Sequence, residues 1–424
     1  MLRLPGSRSF AWFLPCYAVV LLLAAPHLSF WLDEVLTLTG AIQPDLPSLM
    51  ENLRKQQGAT PLAFLIPHWT IQLLGLSQLT ARLPSILASL AACPALFLLA
   101  RHIGLQVPIL PVVVFALWPL QFRYALEVRP YALALCLGLW LNLAFLRKSH
   151  WSIYAFLTIA IGFTHPYALV IPAAHLLWSF LHDRPRAILP AAAIALACTA
   201  LLPWYAHFSA GWRAQSTEQQ LALANPRAIL VFLRELSGSG YIGTAILFAG
   251  VAFGLRHPLE PKRFWLTCAV LPLIAVPLAN IAFDYFFAIR QLICIVPALA
   301  LLFCAASGRP GKLLLYGFLA ASVYSNIVWF QRPREDWSAA SNAIASEVSR
   351  GACVQFVGDS QKLFVFFRPE LAAHLCSVDA PRVVLAGSSY EPAQAATQAA
   401  LVTRGLSKQS EQSFVAPTIE VYGR

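Results

Sequence analysis

PLAFLIPHWTIQLLG, residues 61–75, decides how the rest of the chain is read. It is apolar but only fifteen residues long. A helix needs roughly twenty to cross a bilayer, and this stretch also carries Pro67 and His68. If it crosses, every later cluster of Lys and Arg falls on the wrong side of the membrane. If it lies in the outer interface as an amphipathic segment, five later clusters share the side of Arg3 and Arg8. These are Arg101-His102, Arg147-Lys148-Ser149-His150, His182-Asp183-Arg184-Pro185-Arg186, Arg256 to Arg263, and Arg309 to Lys312. Cytoplasmic loops carry the excess positive charge, so the interfacial placement is the consistent one.

Working outward from that choice, the spans fall near 10–28, 83–101, 107–121, 130–146, 151–164, 166–181, 188–206, 241–256, 264–283, 290–306 and 312–330. The expected architecture is a polytopic α-helical membrane protein with about eleven transmembrane helices. Composition agrees, since 58% of the 424 residues are hydrophobic and only 12% are charged. The net charge of +11 does not point to a nucleic-acid partner, because most Lys and Arg residues sit in the short loops where topology already requires them. The first span reads as an uncleaved anchor, because Pro26 follows the one small-residue site, Leu-Ala-Ala. Seven of nine cysteines lie in apolar spans, and none shows ligand spacing.

The long connections 29–82 and 207–240 and the tail 331–424 then lie outside. From Arg332 the composition changes to a polar helix, a strand (CVQFV), a helical run (SQKLFVFF), a strand (RVVLA), a helix (EPAQAATQAALVTRG) and a last strand (TIEVYG). That alternation predicts a small α/β domain over 331–424, distinct from a membrane domain over 1–330. Cys353 and Cys376 are the two cysteines left in this tail, one opening the first strand and the other following the helical run. A disulfide is expected between them in an oxidising compartment, the alternative being two free buried thiols.

Sorting polar residues by side collects one set at the outer face: Asp33 and Glu34 in HLSFWLDEVLTLTG, Arg82, then Arg123, Glu127 and Arg129 with Tyr131, then His165, and finally Asp284 and Arg290. They come from different connections of one bundle, so they can line one pocket at the membrane surface. Arg82 is notable because an outer arginine runs against the positive-inside bias and wants an anionic partner. Arg54, Lys55 and Arg123 share that logic, although long cationic chains also reach headgroups by snorkelling. Glu127 with Arg129 also fits a local ion pair, and His165 a hydrogen-bonded core histidine. The chemistry that such a set offers is group transfer from a lipid phosphate. A carboxylate takes the proton of an acceptor hydroxyl or amine while guanidiniums hold the departing phosphate. Histidine spacing argues against a metal site, and a divalent cation at the carboxylates stays open.

LSFWLDEVLTLTGAI, TPLAFLIPHWTIQLLGLSQLTARLPSILASLAACPALFLLARHIG, EVRPYALAL, FTHPYAL, FAIRQLICIVPALALL and REDWSAASNAIA, in that order, resemble the GT-C membrane glycosyltransferases. The branch they are most similar to is glycosyltransferase family 39, with the protein O-mannosyltransferases, lipid A aminoarabinose transferases and Rgt-type lipopolysaccharide core transferases. The resemblance covers most of 28–340. It implies inverting transfer of a sugar from a polyprenyl-phosphate donor to a lipid, glycan or protein acceptor, on the periplasmic side of a bacterial inner membrane. It places the general base at Asp33 beside Glu34, the second acidic position at Glu127, and the donor-phosphate cations at Arg82 and Arg290; Arg123, from its place on the outer face, is expected as a further one. His165, Arg129, Tyr131 and Lys55 are expected around the substrate. Two departures stand out: Gln291 follows Arg290 where a tyrosine is common, and Thr60-Pro61 replaces the paired prolines, or histidine and proline, ahead of the interfacial helix. A transporter or flippase for a lipid-linked sugar would share the helices and the basic face. It should also show repeats and polar residues at the bilayer midplane. A mere anchor for the tail would not need so many spans.

Overall fold

The computed structural model describes residues 7–55, 60–215, 226–257, 261–282, 287–377, 379–389 and 394–424. The chain divides into two compact units, Met1–Ala25 with Gln43–Phe330, and Pro26–Ile42 with Gln331–Arg424. The sequence places one boundary after 330; the structure also groups the segment carrying Asp33 and Glu34 with the C-terminal residues.

The first unit is helical, and a helix lies in each window read as a span. Among the described residues five stretches are long and apolar enough to cross a membrane: Arg8–His27, Gln78–His102, Arg184–Trp204, Lys262–Ala282 and Gly308–Gln331. Others are shorter, such as Tyr131–Leu146, Trp151–Thr164 and Gly240–Gly254. Proline explains part of the shortening. The window 107–121 breaks at Trp118 into Ile109–Leu117 and Pro119–Ala125, because proline starts a helix easily but cannot continue one. The break is satisfied from other elements. Asn326 Nδ2 donates to the Leu117 carbonyl at 2.8 Å, and Trp118 Nε1 to the Leu236 carbonyl at 3.2 Å. Where two helices approach most closely, glycine is required: a Cβ on Gly254 would lie 1.8 Å from the Leu302 carbonyl oxygen.

The deciding stretch is one helix, Pro61–Leu74. Thr60 precedes it and donates its hydroxyl to the Thr164 carbonyl at 2.7 Å, fixing its start. Phe64, His68 and Ile71 are buried, while Trp69, Leu73 and Leu74 are exposed. A second short helix, Leu46–Lys55, buries Leu49 and Leu53 in one cluster with Phe64.

In the second unit four strands, β1 (Cys353–Phe356), β2 (Arg382–Ser388), β3 (Ser407–Ser413) and β4 (Pro417–Gly423), form a sheet in the order β1-β2-β4-β3. β1 runs parallel to β2 and the other pairings are antiparallel. Helices Trp337–Ser349, Gln361–Phe367 and Gln394–Thr403 match the predicted ones. β3 was not predicted. Its sequence, SKQSEQS, is polar and every residue is exposed, so no apolar alternation marks it. It is an edge strand whose charges discourage further pairing. Val383, Leu385, Leu401 and Tyr422 form the core beneath the sheet. Cys353 and Cys376 are joined in a disulfide with Cα atoms 4.9 Å apart, as expected from the sequence.

Candidate functional site

In the second unit, Asp33 and Glu34 occupy the first turn of a new helix, Leu32–Ala41. They are not the tail of the first helix, which ends at Ala24 and a short 3-10 turn, Ala25–His27. The two carboxylates differ. Glu34 is fully buried and its Oε2 accepts from the Trp31 amide at 3.4 Å, whereas Asp33 keeps part of its surface. A helix N-terminus favours negative charge, which suits both. A third carboxylate, Glu335, was not singled out from the sequence. Its Oε2 accepts from the Leu32 amide at 2.8 Å and from Trp337 Nε1 at 2.9 Å.

In the first unit the predicted residues from three connections meet. Tyr131 lies with its ring 5.2 Å from that of His165, and the Arg129 guanidinium sits 5.8 Å over the Tyr131 ring. A cleft lined by Tyr131, His165, Arg290 and Gln291 has an accessible volume of about 10 Å³, about what one water needs. Burial pushes the Tyr124 phenol well above its usual value. The charges of Glu127 and Tyr131 add to this, and those of Arg290 and Arg129 oppose it. Loss of hydration, aided by the charges of Arg129 and Arg290, depresses the His165 pKa to about 3, which keeps the ring neutral at physiological pH.

Local structure explains why these side chains converge. Ser85 Oγ on Gln78–His102 donates to the Glu127 carbonyl at 2.6 Å, and the Arg129 amide donates to the same carbonyl at 2.8 Å, which shapes the loop that carries both charges. Glu127 is buried. Arg290 is half-buried on the 3-10 turn Ile289–Ile295. The adjacent Gln291, the departure from the family pattern, has a part here: its Oε1 accepts from Asn280 Nδ2 at 2.7 Å and from the Ala288 amide at 3.3 Å. Asn280 in turn accepts the Tyr167 hydroxyl. Asn280 was not singled out from the sequence; a polar side chain within an apolar span is the signal that could have found it.

Two predicted cations stand apart from the cleft lining. Arg82 is fully buried and its Nη1 donates to the Ala25 carbonyl at 2.9 Å, holding the end of the first helix. Arg123 lies 5.7 Å over the Trp329 ring. Lys55 ends the helix Leu46–Lys55 with a side chain outside the described residues, and Asp284 lies outside them altogether. Among the described residues no three His, Cys, Asp or Glu side chains come together as a metal site.

Two solved structures cover nearly the whole chain. ArnT from Cupriavidus metallidurans bound to undecaprenyl phosphate superposes with a TM-score of 0.59 at 12% identity, covering 98% of each chain. The same protein in its apo state gives 0.58, also at 12% identity and 98% of each chain. The chain shares the fold of ArnT. A third structure, the arabinofuranosyltransferase AftD from mycobacteria, matches 97% of this chain and 40% of its own at 14% identity and a TM-score of 0.56. No family model and no curated protein matches the sequence itself. The likeness is thus one of backbone arrangement.

Proposed function

We propose that this chain is a membrane glycosyltransferase using a polyprenyl-phosphate-linked sugar. It transfers the sugar, with inversion, to a lipid, glycan or protein acceptor at the periplasmic face of a bacterial inner membrane. The observation that carries this reading is the end-to-end likeness to ArnT, a protein whose structure holds undecaprenyl phosphate.

In this reading Asp33 takes the proton from the acceptor hydroxyl or amine as that atom bonds to the sugar carbon. The carbon–oxygen bond to the phosphate breaks, and polyprenyl phosphate leaves with the electron pair. Glu34, fully buried and bonded to the Trp31 amide, orients the turn instead of taking the proton. Arg290 and Arg123 keep exposed surface and suit direct contact with the phosphate. Arg82, fully buried, adds its charge from behind while it secures the first helix. Tyr131 and His165 offer a ring face and a neutral imidazole to the sugar.

The test is to incubate purified protein and acceptor-containing membranes with a panel of pentosyl and hexosyl polyprenyl phosphates and follow free polyprenyl phosphate. Release with one donor class, dependent on acceptor, is expected. No release with any donor would overturn the reading.

A further inference from the structure

The helix that presents Asp33 draws on a local and a distant acceptor at its start, and the local one is Glu34 Oε2, which takes the Trp31 amide at 3.4 Å. The residue before it is Trp31, whose indole nitrogen can only donate, and no side-chain capping bond is made from there. The first amides of a helix lack partners within it and need acceptors from elsewhere. For Leu32 the acceptor is Glu335, 303 residues along the chain, at 2.8 Å. The same oxygen takes the Trp337 indole at 2.9 Å, and Trp337 is fully buried at the start of the helix Trp337–Ser349. The Glu335 carbonyl also accepts the Ser29 hydroxyl at 2.7 Å, fixing the approach to the turn. Helix Gln361–Phe367 packs against Leu32–Ala41. Pro26–Ile42 therefore groups with the C-terminal residues in one compact unit.

We infer that Glu335 is a positioning residue for Asp33, so that the C-terminal α/β unit is the scaffold of the reacting carboxylate and not an accessory. The inference rests on the role of Asp33 proposed above. Glu335 is buried, and the Leu32 amide and the Trp337 indole that it accepts from are fixed by the fold, so the bond pins the backbone one residue before Asp33. An aspartate that swings by an ångström no longer meets the acceptor proton, and such misplacement costs rate more than binding.

The experiment uses the full-length protein in detergent or nanodiscs and compares Glu335→Ala with Glu335→Gln, whose amide oxygen can still accept from both donors. Hydrogen exchange at Leu32 is read first, because it does not depend on any donor sugar. Glu335→Ala should accelerate it roughly tenfold or more, and Glu335→Gln should restore most of the protection. Polyprenyl phosphate release should fall roughly tenfold to a hundredfold in kcat for Glu335→Ala, with KM for the donor nearly unchanged. In an Asp33→Asn background, Glu335→Ala should cost little more, because residues that act as a unit are not additive. Unchanged Leu32 exchange in the alanine variant would overturn the inference. So would an equal loss of rate with and without Asp33. If wild-type protein releases no polyprenyl phosphate while the exchange result holds, it is the transferase reading that fails and not the tie between Glu335 and Leu32.

Discussion

Asn280 Nδ2 donates to Gln291 Oε1 at 2.7 Å, joining the helix Lys262–Ala282 to the turn that carries Arg290. Both side chains are buried, and Tyr167 donates to the asparagine from a third element. Asn280→Leu removes a donor and an acceptor from this chain of bonds. It should lower stability by about 1–3 kcal/mol, and weaken binding of undecaprenyl phosphate by loosening the Arg290 turn. Thermal unfolding and ligand binding in detergent would check both, and an unaltered affinity would detach this network from Arg290.

Asp33→Asn should leave a folded protein, since Asp33 is part-exposed and the helix retains its tie to Glu335. Transfer should drop by at least roughly a hundredfold, the low end for a general base. Turnover near the wild-type rate would take Asp33 out of the reaction.

Arg82→Ala is expected to act on the fold as well as on the donor. The guanidinium is wholly buried, and losing its bond to the Ala25 carbonyl should cost about 1.5–3 kcal/mol. Arg290→Ala, at a half-exposed site, should instead weaken donor binding with little change in unfolding temperature. Equal unfolding temperatures for Arg82→Ala and wild type would contradict the structural role given to Arg82.

His165 predicts a pH dependence with a definite sign. Its folded pKa is about 3 against 6.5 for a free histidine, so between those values the unfolded chain binds a proton that the folded chain does not. Its contribution to stability is complete above pH 6.5 and is lost progressively as pH falls towards 3. His165→Gln should flatten the fall in unfolding temperature over this range. A slope identical to wild type would assign the effect to other groups.

The Cys353–Cys376 bond closes a sequence separation of 23 residues in the second unit. Its removal in a Cys353→Ser, Cys376→Ser variant should destabilise that unit by roughly 3 kcal/mol through chain entropy. Non-reducing peptide mapping should find the linked pair; alkylation of both thiols without reductant would show the bond absent in the purified protein.

Much of this was legible because the underlying signals are local. Apolar windows between basic clusters located a helix in each expected span of the first unit, since backbone groups in lipid must pair within the segment itself, but not Leu46–Lys55 or Pro226–Glu235, which lie in the outer connections. Alternating apolar strands and polar helices located most of the second unit, and the leftover cysteines located its disulfide. β3 escaped because an exposed edge needs no apolar face. Asn280 and Gln291 escaped as a pair because a hydrogen bond between distant elements leaves no periodic mark.

The sequence by itself determined the apolar spans and their order, the strands with buried faces and the types of group available for chemistry. All of these follow from hydrophobic periodicity, charge placement and short motifs. Only the tertiary structure decided which of those groups stand together. It buried Glu34 and left Asp33 partly exposed, turned Arg82 into a support for the first helix, and brought Tyr131, His165 and Arg290 to one cleft. It also reached across 303 residues to cap the helix of Asp33 with Glu335. The physical reason is that burial and hydrogen-bond partnership belong to the packed three-dimensional arrangement, and residues remote in the chain become partners only once the long apolar segments between them have folded.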